Sequence, residues 1–89
     1  RDIFYCKTAD GREVDFVVKK GREVTQLIQV CYDIADLSTK EREIKALISA
    51  SKALKCRDLL VITWDYEGRE EIDGREIAYL PLWKWLLQL

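Results

Sequence analysis

The hydrophobic period of this chain changes once along its length, and this change limits the fold more than any other feature. Apolar and polar residues alternate over Glu13–Lys19 and Glu23–Tyr32, which a tight turn at Lys20–Gly21 separates. A period of two predicts β-strands. From Ser38 to about Lys55 the apolar residues instead recur at helical spacing, which predicts an amphipathic helix. The chain is therefore expected to pair strands first and then pack a helix against them.

Short connections predict how the strands pair. Ile3–Lys7 is rich in β-branched and aromatic residues and precedes an Asp-Gly turn at Asp10–Gly11, so the first three strands should form an antiparallel meander. Leu59–Trp64 is an unbroken apolar run, which is typical of a strand buried on both faces. A strand, a helix and a buried strand in this order form a right-handed crossover. The third and fourth strands are therefore expected to be parallel.

Two further signals describe the first helix. Ser38 and Glu41 match a capping box, in which the serine caps the helix and the glutamate reaches back to its backbone N–H. The charged residues between positions 40 and 45 are interpreted as an exposed, ion-pairing face.

The last third of the chain predicts a hairpin and a short helix. Asp73–Gly74 predicts a type I′ turn between Glu70–Ile72 and Arg75–Leu80. Pro81 suits the first position of a helix over Leu82–Leu89, which is apolar nearly all round. We expect this helix to cover the sheet, the remainder of a longer protein or another copy of the chain.

The element order β-β-β-α-β-β-α predicts an α/β fold with one mixed sheet and two helices, in a single domain over residues 1–89. Methionine is absent and Leu86–Leu89 is still apolar at the end of the chain, so we interpret the sequence as a fragment of a longer protein. Asparagine is also absent, and the charges are dense and balanced, a composition that favours a thermophilic source.

Composition excludes several classes of function. The 15 Lys and Arg residues against 16 Asp and Glu residues leave a net charge of -1, which argues against a bulk attraction to nucleic acid or anionic membranes. No apolar run is long enough to span a bilayer. Histidine is absent and only three cysteines are present, too few ligands for a Cys/His zinc site. Reduced thiols of this kind indicate a cytoplasmic protein.

Asp15, Gln29 and Cys31 form the pattern that most deserves a chemical interpretation. Asp15 lies on the second predicted strand, and the other two are two residues apart on the third, so all three should share one face of the sheet. Nucleases of the restriction-endonuclease type use an Asp, an acidic residue and a Lys in this arrangement to hold Mg²⁺ and orient a water molecule. Gln29 here is neutral and Cys31 offers no ammonium, which leaves Asp15 as a weak metal ligand or a plain surface residue.

Four segments of the chain carry a family resemblance. Together they resemble the C-terminal domain of archaeal AAA-type ATPases, which are P-loop proteins whose last domain has the restriction-endonuclease-like PD-(D/E)XK fold; the segments are Gly11–Val18, Leu27–Tyr32, Leu60–Trp64 and Pro81–Leu87. The resemblance covers nearly all 89 residues. It implies that Asp15 is the metal-binding Asp, that Gln29 occupies the acidic position and that Cys31 occupies the Lys position.

The resemblance also implies partners and cofactors. The ATPase domain of the parent protein would be a partner, and DNA would be another. No GxxxxGK[ST] pattern occurs in the sequence, so ATP would bind in the parent protein. Mg²⁺ would be needed by an active nuclease, and no cofactor by a degenerate one.

Three functions remain open from the sequence. The first is a degenerate, non-catalytic accessory domain of an archaeal P-loop ATPase that binds DNA or protein, including another copy through the terminal helix. The second is an active Mg²⁺-dependent DNA nuclease that combines Asp15 with Glu13 or with groups outside the chain. The third is a structural or oligomerisation module without nucleic acid. Trp64, Trp83 and Trp85 fit base stacking, core packing or the anchor of a protein interface.

Overall fold

The computed structural model describes residues 2–7 and 13–88, and it describes side chains from Val14 onwards. Within these residues the chain forms six strands and two helices, which are β1 (Asp2–Lys7), β2 (Glu13–Lys20), β3 (Glu23–Val30), α1 (Leu37–Leu54), β4 (Leu59–Thr63), β5 (Gly68–Ile72), β6 (Arg75–Pro81) and α2 (Leu82–Leu87). The predicted Asp10–Gly11 turn and the side chain of Glu13 lie outside the described part.

All six strands belong to one mixed sheet with the order β1-β2-β3-β4-β6-β5. The first three strands pair antiparallel, and β4 runs parallel to both β3 and β6. The parallel pairing of β3 and β4 confirms the predicted crossover through α1. The fold is therefore α/β with a mixed sheet and two helices.

The strand order departs from the chain order at its end, where β6 rather than β5 lies beside β4. The reason is the burial of the two strands. Ile77 and Tyr79 of β6 are buried, whereas the residues of β5 are half-buried or exposed. The more apolar strand takes the interior position, and β5 forms the edge of the sheet with its antiparallel partner β6.

Each face of the sheet carries its own apolar cluster. On the face covered by α1, the buried cluster includes Leu47 of the helix together with Leu27, Val61 and Ile77 of the strands. The opposite face carries a smaller buried cluster, composed of Val18, Ile28, Leu60 and Ile62, against which Leu82 and Trp85 pack from the α2 segment. All five residues of β4 are buried, as its unbroken apolar run predicts.

The predicted capping box of α1 is wrong. The N-cap is Asp36, whose carboxylate accepts the Thr39 N–H at 3.2 Å, and the helix begins at Leu37. Ser38 therefore lies inside the first turn. The Asp36–Thr39 hydrogen bond satisfies one of the free N–H groups at the start of the helix. Asp36 therefore takes the N-cap position that the Ser38–Glu41 pattern assigns to Ser38.

The backbone confirms the predicted hairpin turn between β5 and β6. Asp73 and Gly74 both have positive φ, 54° and 73°, which is the conformation of a type I′ turn.

The prediction for the terminal helix is correct only in part. Leu82 and Trp85 pack against the sheet. Trp83, Leu86 and Leu87 remain 59%, 52% and 79% exposed, respectively. Neither helix in the described part of the chain is long and apolar enough to cross a membrane.

Candidate functional site

Two side chains continue the pairing of β2 and β3 where the backbone ladder stops. The last backbone pair is Phe16 with Ile28. Beyond it, the Asp15 N–H donates to Oε1 of Gln29, and the Val30 N–H donates to Oδ2 of Asp15, each at 2.8 Å. Side-chain oxygens thus replace the missing backbone carbonyls. Asp15 and Gln29 therefore lie side by side at the end of the β2–β3 ladder.

Gln29 also joins the sheet to α1. Its side chain is 1% exposed, and its Nε2 donates to the backbone carbonyl of Glu43 at 3.3 Å. The amide therefore bonds β2 through its oxygen and α1 through its nitrogen. Because a buried polar group without a partner is destabilising, these two bonds explain why a glutamine is accommodated in the core.

Cys31 directly follows β3 and carries a buried thiol on the α1 side of the sheet. Its side chain is 4% exposed and belongs to the α1-side apolar cluster. Burial raises the pKa of this thiol, and the nearby carboxylates of Glu43 and Asp33 raise it further. The thiol is therefore protonated at neutral pH and is a poor nucleophile, because the thiolate is the reactive form.

Glu43 and Lys40 of α1 also belong to this site, although the sequence analysis assigned both to an exposed face. They are half-buried. Burial raises the pKa of Glu43, and the charge of Asp15 raises it further. The carboxyl group of Glu43 on α1 and that of Asp15 on β2 therefore repel each other, and we call the place where β2, β3 and α1 meet the acidic junction. The helical spacing could have identified these residues, since positions 40, 43, 44 and 47 form one stripe of a helix.

Lys40 connects α1 to the far edge of the sheet. Its Nζ lies 3.3 Å from Glu70 of β5 and 5.6 Å from the ring centre of Tyr79 of β6. The buried Tyr79 hydroxyl donates to the same Glu70 carboxylate. Burial and this hydrogen bond raise the pKa of Tyr79. The ammonium of Lys40 thus has a carboxylate and a ring as its partners.

The charges around the acidic junction of β2, β3 and α1 are mainly negative. Its carboxyl groups are those of Asp15, Glu43, Asp33 and Asp36. Two cations oppose them, since Lys40 lowers the pKa of Cys31 and Arg42 lowers the pKa values of Glu43 and Asp36. Among the described residues, no group of three or more His, Cys, Asp and Glu side chains is arranged to hold a metal ion. An acidic surface of this kind repels a phosphate backbone.

A second surface feature lies at the carboxyl ends of β3 and β4. We call it the terminal apolar patch, and it consists of Tyr32, Trp64, Trp83, Leu86 and Leu87. The Tyr32 and Trp64 rings meet edge to face, with centres 6.3 Å apart. A cleft of about 350 Å³ lies between β4 and α2, lined by Trp64, Asp65, Leu82, Trp83 and Leu86.

The other side of α2 borders a wider groove of about 940 Å³ over the sheet. Leu60, Ala78 and Leu80 line it from the strands, and Lys84 and Trp85 line it from α2. Lys84 pairs there with Glu67, with Nζ and Oε1 2.8 Å apart. The helix is therefore a ridge with a concave surface on either side.

Comparisons with protein-family models, with curated proteins and with solved structures found no match to this chain.

Proposed function

We propose that this chain is a non-catalytic accessory domain built on a restriction-endonuclease-like scaffold, and that it serves an interaction within an archaeal-type P-loop ATPase. The sequence resemblance supports the scaffold and the parent protein. One structural observation supports the proposed loss of catalysis. The Asp15 and Gln29 side chains hydrogen-bond the backbone of the neighbouring strand and of α1, so they hold the fold together at the positions where a nuclease holds its metal.

The chemistry that a nuclease needs is largely missing at these positions. Mg²⁺ is usually bound by one or two carboxylates together with substrate phosphates and water. Asp15 supplies one carboxylate, one oxygen of which accepts the Val30 N–H. Cys31 stands where an ammonium would assist the attacking water, and its thiol is uncharged. Loss of such assistance lowers a rate by about 10²- to 10⁴-fold.

Protein contact is favoured over DNA contact as the purpose of the domain. The acidic junction around Asp15 and Glu43 opposes a phosphate backbone, and the net charge of the chain is -1. The large exposed apolar side chains at the ends of the strands instead match the anchors of protein interfaces, where tryptophan and tyrosine are enriched. We therefore assign the binding role to the terminal apolar patch.

An endonuclease assay tests this proposal. The wild-type chain, with Mg²⁺ or Mn²⁺, is expected to leave linear, supercoiled and branched DNA intact. The double replacement Gln29→Glu with Cys31→Lys restores the two missing groups, and cleavage by this variant alone would support a degenerate nuclease scaffold. Wild-type cleavage that Asp15→Ala abolishes would contradict the proposal.

A second candidate function is an active Mg²⁺-dependent nuclease, and the position of Glu43 favours it. The charge of Asp15 raises the pKa of Glu43, and in this candidate Glu43 supplies the second carboxylate and Lys40 the ammonium. The engagement of Lys40 with Glu70 argues against this role. Wild-type cleavage that disappears in both Asp15→Ala and Glu43→Gln would establish this second function in place of the first.

A further inference from the structure

We infer that the terminal apolar patch is a contact surface between two copies of this chain, related by a twofold axis that passes close to α2. This inference rests on the proposed interaction function and names the partner. Three properties of the patch support a second copy as its occupant, namely its area, its shape and its charge.

The exposed area of the patch suits a small dimer interface. Trp64, Trp83 and Tyr32 are 65%, 59% and 52% exposed. Aromatic side chains of roughly 150–250 Å² each would therefore expose roughly 250–450 Å² together, and Leu86 and Leu87 add to this area. The largest apolar patch on a typical monomer is about 300–600 Å², and a standard interface buries about 800 Å² on each partner. The patch thus provides a large part of the apolar area that such a dimer requires.

The shape of the patch is self-complementary. An interface around a twofold axis uses the same surface on both copies, so that surface must both project and receive side chains. Leu87 projects from α2 and is 79% exposed. The cleft of about 350 Å³ between Trp64 and Trp83 lies beside the same helix. Two α2 helices that cross at the axis can therefore place an apolar side chain of each copy in the cleft of the other.

The charge of the patch permits two copies to meet. Among the described residues that line the cleft, Asp65 alone is charged. Lys84 of α2 lies on the opposite side of the helix, in the wider groove, where Glu67 neutralises it. Two such patches bring few like charges together. A strongly basic or acidic partner would find little charge to complement at this surface.

Analytical ultracentrifugation over a range of concentrations tests the inference. The wild-type chain is expected to sediment as a concentration-dependent dimer of the 10.5 kDa chain. Leu86→Glu places two carboxylates at the apolar interface and should weaken the dimer by at least about 30-fold, as removal of a hot-spot residue does. Ala53→Glu is the matched control, because Ala53 is also exposed but lies in the last turn of α1, which leads to the opposite end of β4, and it should leave the dimer unchanged.

A second variant and a folding check keep the test decisive. Trp83→Ser removes an anchor without adding charge and should also favour the monomer, while circular dichroism verifies that each variant is folded. A wild-type chain that stays monomeric at all concentrations would overturn the inference, as would a dimer that survives both patch substitutions. Neither result affects the endonuclease assay, so the proposed function can stand when this inference fails.

Discussion

At the scale of single residues, Asp15 combines a structural role in the sheet with the position of a candidate metal ligand. Its carboxylate has a structural task, because it accepts the N–H of Val30 where the β2–β3 ladder has ended. A carboxylate used in this way is a component of the sheet. Replacing Asp15 should therefore change the stability of the fold whether or not the protein is an enzyme.

We expect Asp15→Ala to lower the free energy of unfolding by about 1–3 kcal/mol, because the half-buried Val30 N–H loses its acceptor. Asp15→Asn keeps a side-chain oxygen that can accept this bond and should retain most of the stability. Urea unfolding of the three proteins measures the difference. Equal stability of the wild type and Asp15→Ala would show that the hydrogen bond contributes nothing to the fold.

Glu43 gives the site a pH dependence whose sign follows from its raised pKa. A raised pKa means that the folded state favours the protonated carboxyl. The resulting destabilisation is therefore absent below the ordinary carboxyl pKa of about 4.3 and reaches its full size once the pH exceeds the raised value. Burial and the charge of Asp15 are the causes.

We therefore expect Glu43→Gln to be more stable than the wild type at pH 7, by roughly 0.2–1 kcal/mol as for partly exposed charge pairs. The advantage should disappear as the pH falls below about 4. Chemical unfolding measured between pH 3 and pH 8, values chosen to bracket ordinary carboxyl pKa values, provides the comparison. In an Asp15→Asn background the advantage should shrink, and an advantage that is independent of pH would contradict this account.

At the scale of secondary-structure elements, the start of α1 shows how two local signals compete. Asp36 and Ser38 are both suitable N-cap residues, and they lie two positions apart. The sequence pattern favoured Ser38, because Glu41 follows it at the spacing of a capping box. The structure begins the helix two residues earlier, with the Asp36 carboxylate accepting the Thr39 N–H.

We expect Asp36→Ala to lower the melting temperature, whereas Ser38→Ala should leave it nearly unchanged. Hydrogen bonds from Thr39 lower the pKa of Asp36, so its contribution to stability is present above the ordinary aspartate pKa of about 3.9 and is lost as the pH falls through the lower value of the folded state. Thermal unfolding at pH 7 and at pH 2 tests both statements. A larger effect of Ser38→Ala would restore the predicted capping box.

The same scale shows how much of the fold and site the sequence could predict. The predicted neighbourhood of Asp15 and Gln29 agrees with their hydrogen bonds. The predicted alternation along β2 is wrong, because Val14 and Val17 both belong to the α1-side cluster whereas Val18 belongs to the opposite one. The orientation of Lys40 and Glu43 was missed, since charged residues in a helix suggest solvent even when they fall on the buried stripe. The aliphatic part of a long charged side chain can cover apolar surface while its charged end stays near water. A pattern of charged and apolar residues does not predict this behaviour.

At the scale of the whole molecule, strand order was the property that local patterns could not predict. The hairpin of β5 and β6 follows from its Asp-Gly turn, but the turn alone does not determine which of the two strands lies beside β4. The decision depends on the burial of Ile77 and Tyr79 against residues far away in the chain. Such information belongs to tertiary packing, where it overrides local preference.

The interior position of β6 has a consequence for how the protein reaches its native state. During synthesis β4 emerges before β6, and until β6 arrives one side of β4 has unpaired N–H and C=O groups next to four apolar residues, Leu59–Ile62. An apolar strand with an open edge is a template for pairing with other chains. The molecule is therefore most vulnerable to aggregation just before its last strand inserts, and chaperone capture in that interval would protect the chain without any contact that survives in the folded protein.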